Sequence, residues 1–176
     1  MRLPINKICF ITVILIFTVT KVFADDAHSK SVSATSKAKV ITPISIENTD
    51  GQGLDFGVIA LGVAESKVVV SAATPVHVIV SQGDAIVITS APQKAAKFTV
   101  SGEVGQAYLI KLPTSATLLS GAKALTINNF SCSNGAGGNI GPTGNAEFFV
   151  GGELTIPEGA TPGAYNGTFN VTVAYN

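Results

Sequence analysis

The sequence predicts an all-β protein, an antiparallel β-sandwich of immunoglobulin-like or pilin-like architecture. Three observations predict it. From Val40 onward, short runs rich in Val, Ile, Thr and Phe are separated by Gly, Pro, Asn, Asp or Ser, and about ten such runs at spacings near 8 to 12 residues form the pattern of a sandwich or barrel. Two of the later runs alternate apolar and polar residues, the period of a sheet with one buried face. No window shows sustained helical periodicity with caps, and no internal repeat of fixed period is evident.

The elements follow in chain order. Residues 1–24 read as a secretory signal peptide: Arg2 and Lys7 give a positive start, Ile8 to Val19 is apolar apart from Thr12 and Thr18, and Val22-Phe23-Ala24 precedes the cleavage point. The apolar run falls short of the roughly 20 residues needed to span a bilayer. The sequence therefore predicts export, to the periplasm, the cell surface or the medium, with no integral membrane segment after cleavage. Residues 25–39, rich in Ser, Lys, Ala and Asp and free of aromatics, read as an extended tail that cannot bury enough apolar surface to offset the entropy of ordering. Val32, Ala34, Ala38 and Val40 fall on one face if this stretch is drawn out as a strand.

Residues 40–176 are expected to form one sandwich domain, since the chain left after cleavage has the length of a single ordinary core. The predicted strands run from Lys39 to Glu47, Leu54 to Ala60, Lys67 to Ala72, Val76 to Ser81, Ala85 to Thr89, Lys97 to Gly102, Ala107 to Leu112, Ala124 to Ser131, Glu147 to Ile156 and Thr168 to Tyr175. In the penultimate run Phe148, Val150, Leu154 and Ile156 share a face with Gly152 between them; in the last, Phe169, Val171, Val173 and Tyr175 do. Glycines at Gly51, Gly53, Gly83, Gly105 and Gly159 mark turns. Ser133 to Asn145, with its glycines and Pro142, is expected to be a mobile surface loop.

Charge and chemistry exclude several functions. Without its leader the chain has 8 Lys, no Arg and 11 acidic residues, a net charge of about −3 that supplies neither a phosphate-neutralising surface nor a polybasic membrane patch. No nucleic acid is expected as a partner. Outside the leader the histidines are His28, in the tail, and His77, in a predicted strand among valines and isoleucines; neither accompanies a Gly-x-Ser-x-Gly elbow. Glu147 and Glu153 fall on the face opposite the apolar set, where a solvated surface explains them better than glycosidic chemistry. Asp50 to Asp55 lacks the ligand series of a calcium loop, and no zinc spacing, P-loop or dinucleotide motif occurs. The chain is read as a non-enzyme without metal or cofactor. Cys9 lies in the leader, so Cys132 has no internal partner and reads as a half-buried strand residue. Three formal glycosylation sequons begin at Asn129, Asn166 and Asn170.

Several blocks carry a resemblance. Val40-Ile41-Thr42-Pro43-Ile44-Ser45-Ile46, Leu54-Asp55-Phe56-Gly57-Val58-Ile59, Phe98-Thr99-Val100-Ser101-Gly102, Tyr108-Leu109-Ile110-Lys111-Leu112-Pro113, Val150-Gly151-Gly152-Glu153-Leu154 and Pro162 to Phe169 resemble, in order, the blocks of family 4402 of the bacterial domains of unknown function. That resemblance implies an exported all-β domain with no established enzymatic activity. A looser one is to chaperone–usher pilins, carried by the penultimate Tyr175, by Gly163 fourteen places from the end, and by Phe169, Val171 and Val173 alternating between them. It implies that the last strand borders a groove, that a periplasmic chaperone lends a strand to it, and that another subunit's N-terminal tail then replaces the loan. On that reading Gly163, Phe169, Val171, Val173 and Tyr175 form the assembly edge, and Val32, Ala34, Ala38 and Val40 the donor. The expected function is a bacterial cell-surface structural subunit or adhesin, whose partners are itself or other surface subunits. The alternative is a self-contained module that binds carbohydrate or protein.

Overall fold

The computed structural model describes residues 30–49, 51 and 53–176. The predicted leader, His28, and Asp50 and Gln52 of the first predicted turn lie outside the described residues. Contacts divide the chain into two units, Met1–Ala38 and Lys39–Asn176. In the first, residues 30–38 are exposed and have neither helix nor strand; Val32, Ala34 and Ala38 of the proposed donor segment belong here.

The second unit is all-β, with antiparallel pairing throughout and a sandwich-like arrangement. Its strands among the described residues are β1 (Ser45–Asn48), β2 (Val58–Ala60), β3 (Ser66–Val70), β4 (Val78–Gln82), β5 (Ile86–Ile88), β6 (Ala96–Ser101), β7 (Ala107–Lys111), β8 (Ser115–Ser120), β9 (Lys123–Cys132), β10 (Gly137–Asn139), β11 (Asn145–Ile156) and β12 (Thr172–Tyr175). The long β11 is the spine. One of its edges pairs with β6 over 145–150 and with β3 over 152–156; the other pairs with β9. β1 continues the sheet beyond β6, β4 beyond β3 and β8 beyond β9. A second sheet has the order β10-β7-β12, and β2 and β5 form a separate ribbon.

Alternation decides which side chains meet. Along β11, Phe148, Val150, Leu154 and Ile156 are all buried, while Glu147 and Glu153 face outward and pair with Lys97 at 3.0 Å and Lys67 at 3.9 Å. The inward residues feed two apolar clusters. The first joins Phe56, Val68, Val70, Leu125, Ile127, Leu154 and Ile156, with Ile59 and Val87 of the ribbon against it. The second joins Val100, Phe148 and Val150 of the main sheet to Tyr108 and Ile110 of the second sheet, with Phe98, Phe130 and Phe169 packed on it. Phe98 and Phe148, directly paired across β6 and β11, stack at 5.4 Å, and Phe169 meets Phe98 edge-on at 6.3 Å and Phe130 at 5.1 Å. Such pairs add to burial alone.

The structure corrects three sequence expectations. Ser115–Ser120, which falls between the predicted strands, is β8, held in register against β9 from Ser115↔Asn128 to Ser120↔Lys123. The expected mobile loop from Ser133 to Asn145 contains β10, which pairs with β7; a side chain at Gly137 would collide with the Tyr108 carbonyl, so glycine here serves close strand packing. Predicted ends also shrink: Lys39 to Ile44 precede β1, and Thr168 to Val171 precede β12, although Phe169 and Val171 keep the alternation and remain half-buried.

Candidate functional site

Strands that alternate cannot by themselves close the ends of a sandwich, and here one end of the first cluster stays open. A cleft of about 990 Å³ runs between the chain from Gly53 to Leu61 and the chain from Thr161 to Gly167. Its floor includes Leu118, Leu125, Leu154 and Ile156, so it reaches the core itself. Each wall is pinned from behind. Asp55 exchanges two main-chain bonds with Lys94, at 2.8 and 2.9 Å, and its carboxylate accepts the Gly57 N–H at 2.8 Å. Opposite, Leu119 and Asn166 exchange main-chain bonds of 2.7 and 3.0 Å, tying residues 161–167 to β8. The approach is tight: a Cβ at Gly163 would lie 2.6 Å from the Ser120 hydroxyl, and one at Gly167 would strike the Thr117 carbonyl. Tyr165 stands in the same wall and donates its hydroxyl to the Thr161 carbonyl at 2.7 Å.

The residues singled out as an assembly edge are therefore distributed along one continuous course. Gly163 lies in the cleft wall, Phe169 and Val171 lead out of it over the second cluster, and Val173 and Tyr175 lie in β12. Among the described residues β12 pairs with β7 alone and is the edge of its sheet. Tyr175 has a local task that alternation does not reveal: its hydroxyl donates to the Thr42 carbonyl and accepts the Glu103 N–H, both at 2.7 Å. The Glu103 carboxylate in turn accepts Thr42 Oγ1 at 3.2 Å and pairs with Lys39 at 3.2 Å. Those bonds, with the Thr42 N–H contributing most, hold the Glu103 carboxyl below the usual range. Of the donor residues, Val40 belongs to this second unit and is 93% exposed.

The remaining candidates are local structure. His77 is exposed just ahead of β4, and its main-chain N–H donates to Ser71 Oγ at 2.8 Å. Cys132 ends β9, half-buried and unpaired, with burial raising its thiol above the ordinary value. Asn129, one of the sequon asparagines, sits at a bulge of β9 with φ of 48° and donates to Glu153 at 3.1 Å. Among the described residues, no group of three or more His, Cys, Asp or Glu side chains could hold a metal ion. No helix there is long and apolar enough to cross a membrane.

No curated protein and no solved structure matches the chain. The sequence profile of the family described as Domain of unknown function (DUF4402) matches residues 44–175, a span that takes in all twelve strands, and the chain therefore belongs to the DUF4402 family.

Proposed function

We propose that the protein is an exported structural subunit or adhesin of a bacterial cell surface, without catalytic activity, that assembles by accepting an extended strand from another subunit. The observation that carries this reading is the cleft. A gap that reaches down to Leu118, Leu125, Leu154 and Ile156 between two walls of extended chain has the shape a β-strand fills, and covering the exposed Val58 and Leu61 of its wall supplies the driving force. β12, at the end of its sheet, offers main-chain groups to a strand of another subunit. Residues 25–39, with Val32, Ala34 and Ala38 followed by Val40, suit the donor role: their side chains are small, and the cleft walls include Gly53, Gly57, Gly163 and Gly167.

The test compares the purified chain with one lacking residues 25–39. Strand exchange predicts that the intact chain polymerises or is unstable, and that the truncated one stays small and gains thermal stability on adding a peptide of residues 28–41. A monodisperse, heat-stable intact chain, unaffected by truncation or peptide, removes the reading. A second reading, a self-contained module for carbohydrate or protein, draws on Tyr165 in the cleft wall; it predicts ligand-dependent change in tyrosine fluorescence from a monomer.

A further inference from the structure

The approach to the sandwich is fastened at one point. Lys39 to Ile44 lie outside any strand, yet Thr42 makes three hydrogen bonds: its carbonyl accepts from Tyr175, and its N–H and hydroxyl donate to Glu103 at 3.4 and 3.2 Å. Lys39 adds an ion pair to the other oxygen of the same carboxylate. Glu103 and Tyr175 are themselves joined by the Glu103 N–H. Just beyond, Ile44 and Ile46 pack on the second cluster, as do Val171 and Val173. Thr42 is thus tied to the last residue of β12, a strand that β1 also approaches and whose outer side has no strand partner among the described residues.

We propose that Lys39–Ile44 is an autoinhibitory strap, and that the Tyr175–Thr42–Glu103 clasp keeps it over the flank of β12, guarding that edge against pairing with a strand of a second copy. The proposal adds regulation to the strand-exchange reading and rests on it for what the edge does. Unpaired edges invite association, and proteins cover them with loops or other segments. Here the cover is held by one hydroxyl and one carboxylate rather than by a ladder. Removing the Tyr175 hydroxyl takes away the Thr42 carbonyl's donor and the Glu103 N–H's acceptor together.

The experiment compares the full chain with its Tyr175→Phe and Glu103→Gln variants. Amide exchange is read over Thr42–Ile44 and Thr172–Asn176, and self-association by sedimentation. An open clasp predicts exchange at least about tenfold faster in both stretches, as expected for losing the two hydrogen bonds of the Tyr175 hydroxyl, and a larger associated fraction than the wild-type chain at equal concentration. Unchanged exchange overturns the clasp. Faster exchange with unchanged association overturns the guard. Repeating the variants without residues 25–38, which leaves the Lys39 ion pair with Glu103 in place, separates the two ideas: association that survives truncation keeps the guarded edge and discards the tail as donor, and association lost with the tail overturns the guard against direct edge pairing.

Discussion

β11 passes through both halves of this domain, and the two halves end differently. Around Phe148 the core is sealed: Phe98 stacks on it, Phe130 and Phe169 close the side, the second sheet lies over it, and Phe148 is fully buried. Around Leu154, a few residues along the same strand, the cover is only the β2–β5 ribbon and the chain at 161–167, and a cleft opens between them. The sealed half owes its closure to aromatic side chains from four separate segments. The open half has aliphatic floor residues and glycine-bearing walls, which lie close to their supports but cannot fill the space. One half of the molecule carries stability, and the other keeps apolar surface available.

The contrast can be broken by truncating the core on each side. Phe148→Ala should cost about 3–5 kcal/mol, because the packed surroundings cannot collapse into the void. Leu154→Ala should cost about 2–3 kcal/mol, at the low end of its class, since the space left merges with the cleft instead of forming a closed cavity. Urea denaturation of both variants measures this. Equal costs, or a larger one at Leu154, mean that the cleft is shut in solution.

A smaller effect tests the wall. Gly167→Ala would drive a methyl into the Thr117 carbonyl, a main-chain atom that cannot turn aside, whereas Gly163→Ala meets the Ser120 hydroxyl, which can rotate. The first should destabilise by about 1–3 kcal/mol, as overpacking does, and the second by less than about 1 kcal/mol. Thermal melts rank the pair. The reverse order would show that residues 161–167 are not held against β8 as the main-chain bridge between Leu119 and Asn166 indicates.

What could be read in the sequence follows this division. The sealed half was legible because its signal is period two: Phe148, Val150, Val173 and Tyr175 each face the side that alternation assigns. The class, the antiparallel pairing and the outward placement of Glu147 and Glu153 come from the same rule. β8 was not legible, because Ser115-Ala116-Thr117 has little of the β-branched and aromatic content that marks the other strands and only pairing with β9 makes it one. β10 was hidden by glycines, which mark loops in a sequence and close strand contact in the fold. The cleft was not legible: Gly163 was singled out as part of an assembly edge, most of the other wall falls in the predicted strand from Leu54 to Ala60, and nothing local shows that β2 pairs on one side alone. Tyr175 was found for its position and not for its bonds, since Thr42 and Glu103 are distant in sequence.

The smallest expected effect concerns acid. In each half main-chain N–H donors hold one carboxyl below its ordinary range. In the open half Asp84 accepts from Val63 at 3.0 Å and Ala64 at 3.2 Å, and these bonds lower its ionisation below the ordinary range; in the sealed half Glu103 is lowered by Thr42 and by Lys39. A carboxyl depressed in the folded state contributes stability that is complete above its unfolded value and disappears as pH falls through the folded one. Both segments should therefore be firm at neutral pH and loosen only as acid passes below the usual carboxylate range. Both groups are solvent-exposed, so the change should be local and should leave the core intact. Amide signals of Val63, Ala64 and Thr42 followed by NMR during an acid titration measure it. Added salt should weaken the Lys39 contribution at Glu103 and leave Asp84, whose partners are main-chain groups, nearly unmoved; an equal salt response at both sites would show that charge and not hydrogen bonding fixes the loop at Val63 and Ala64.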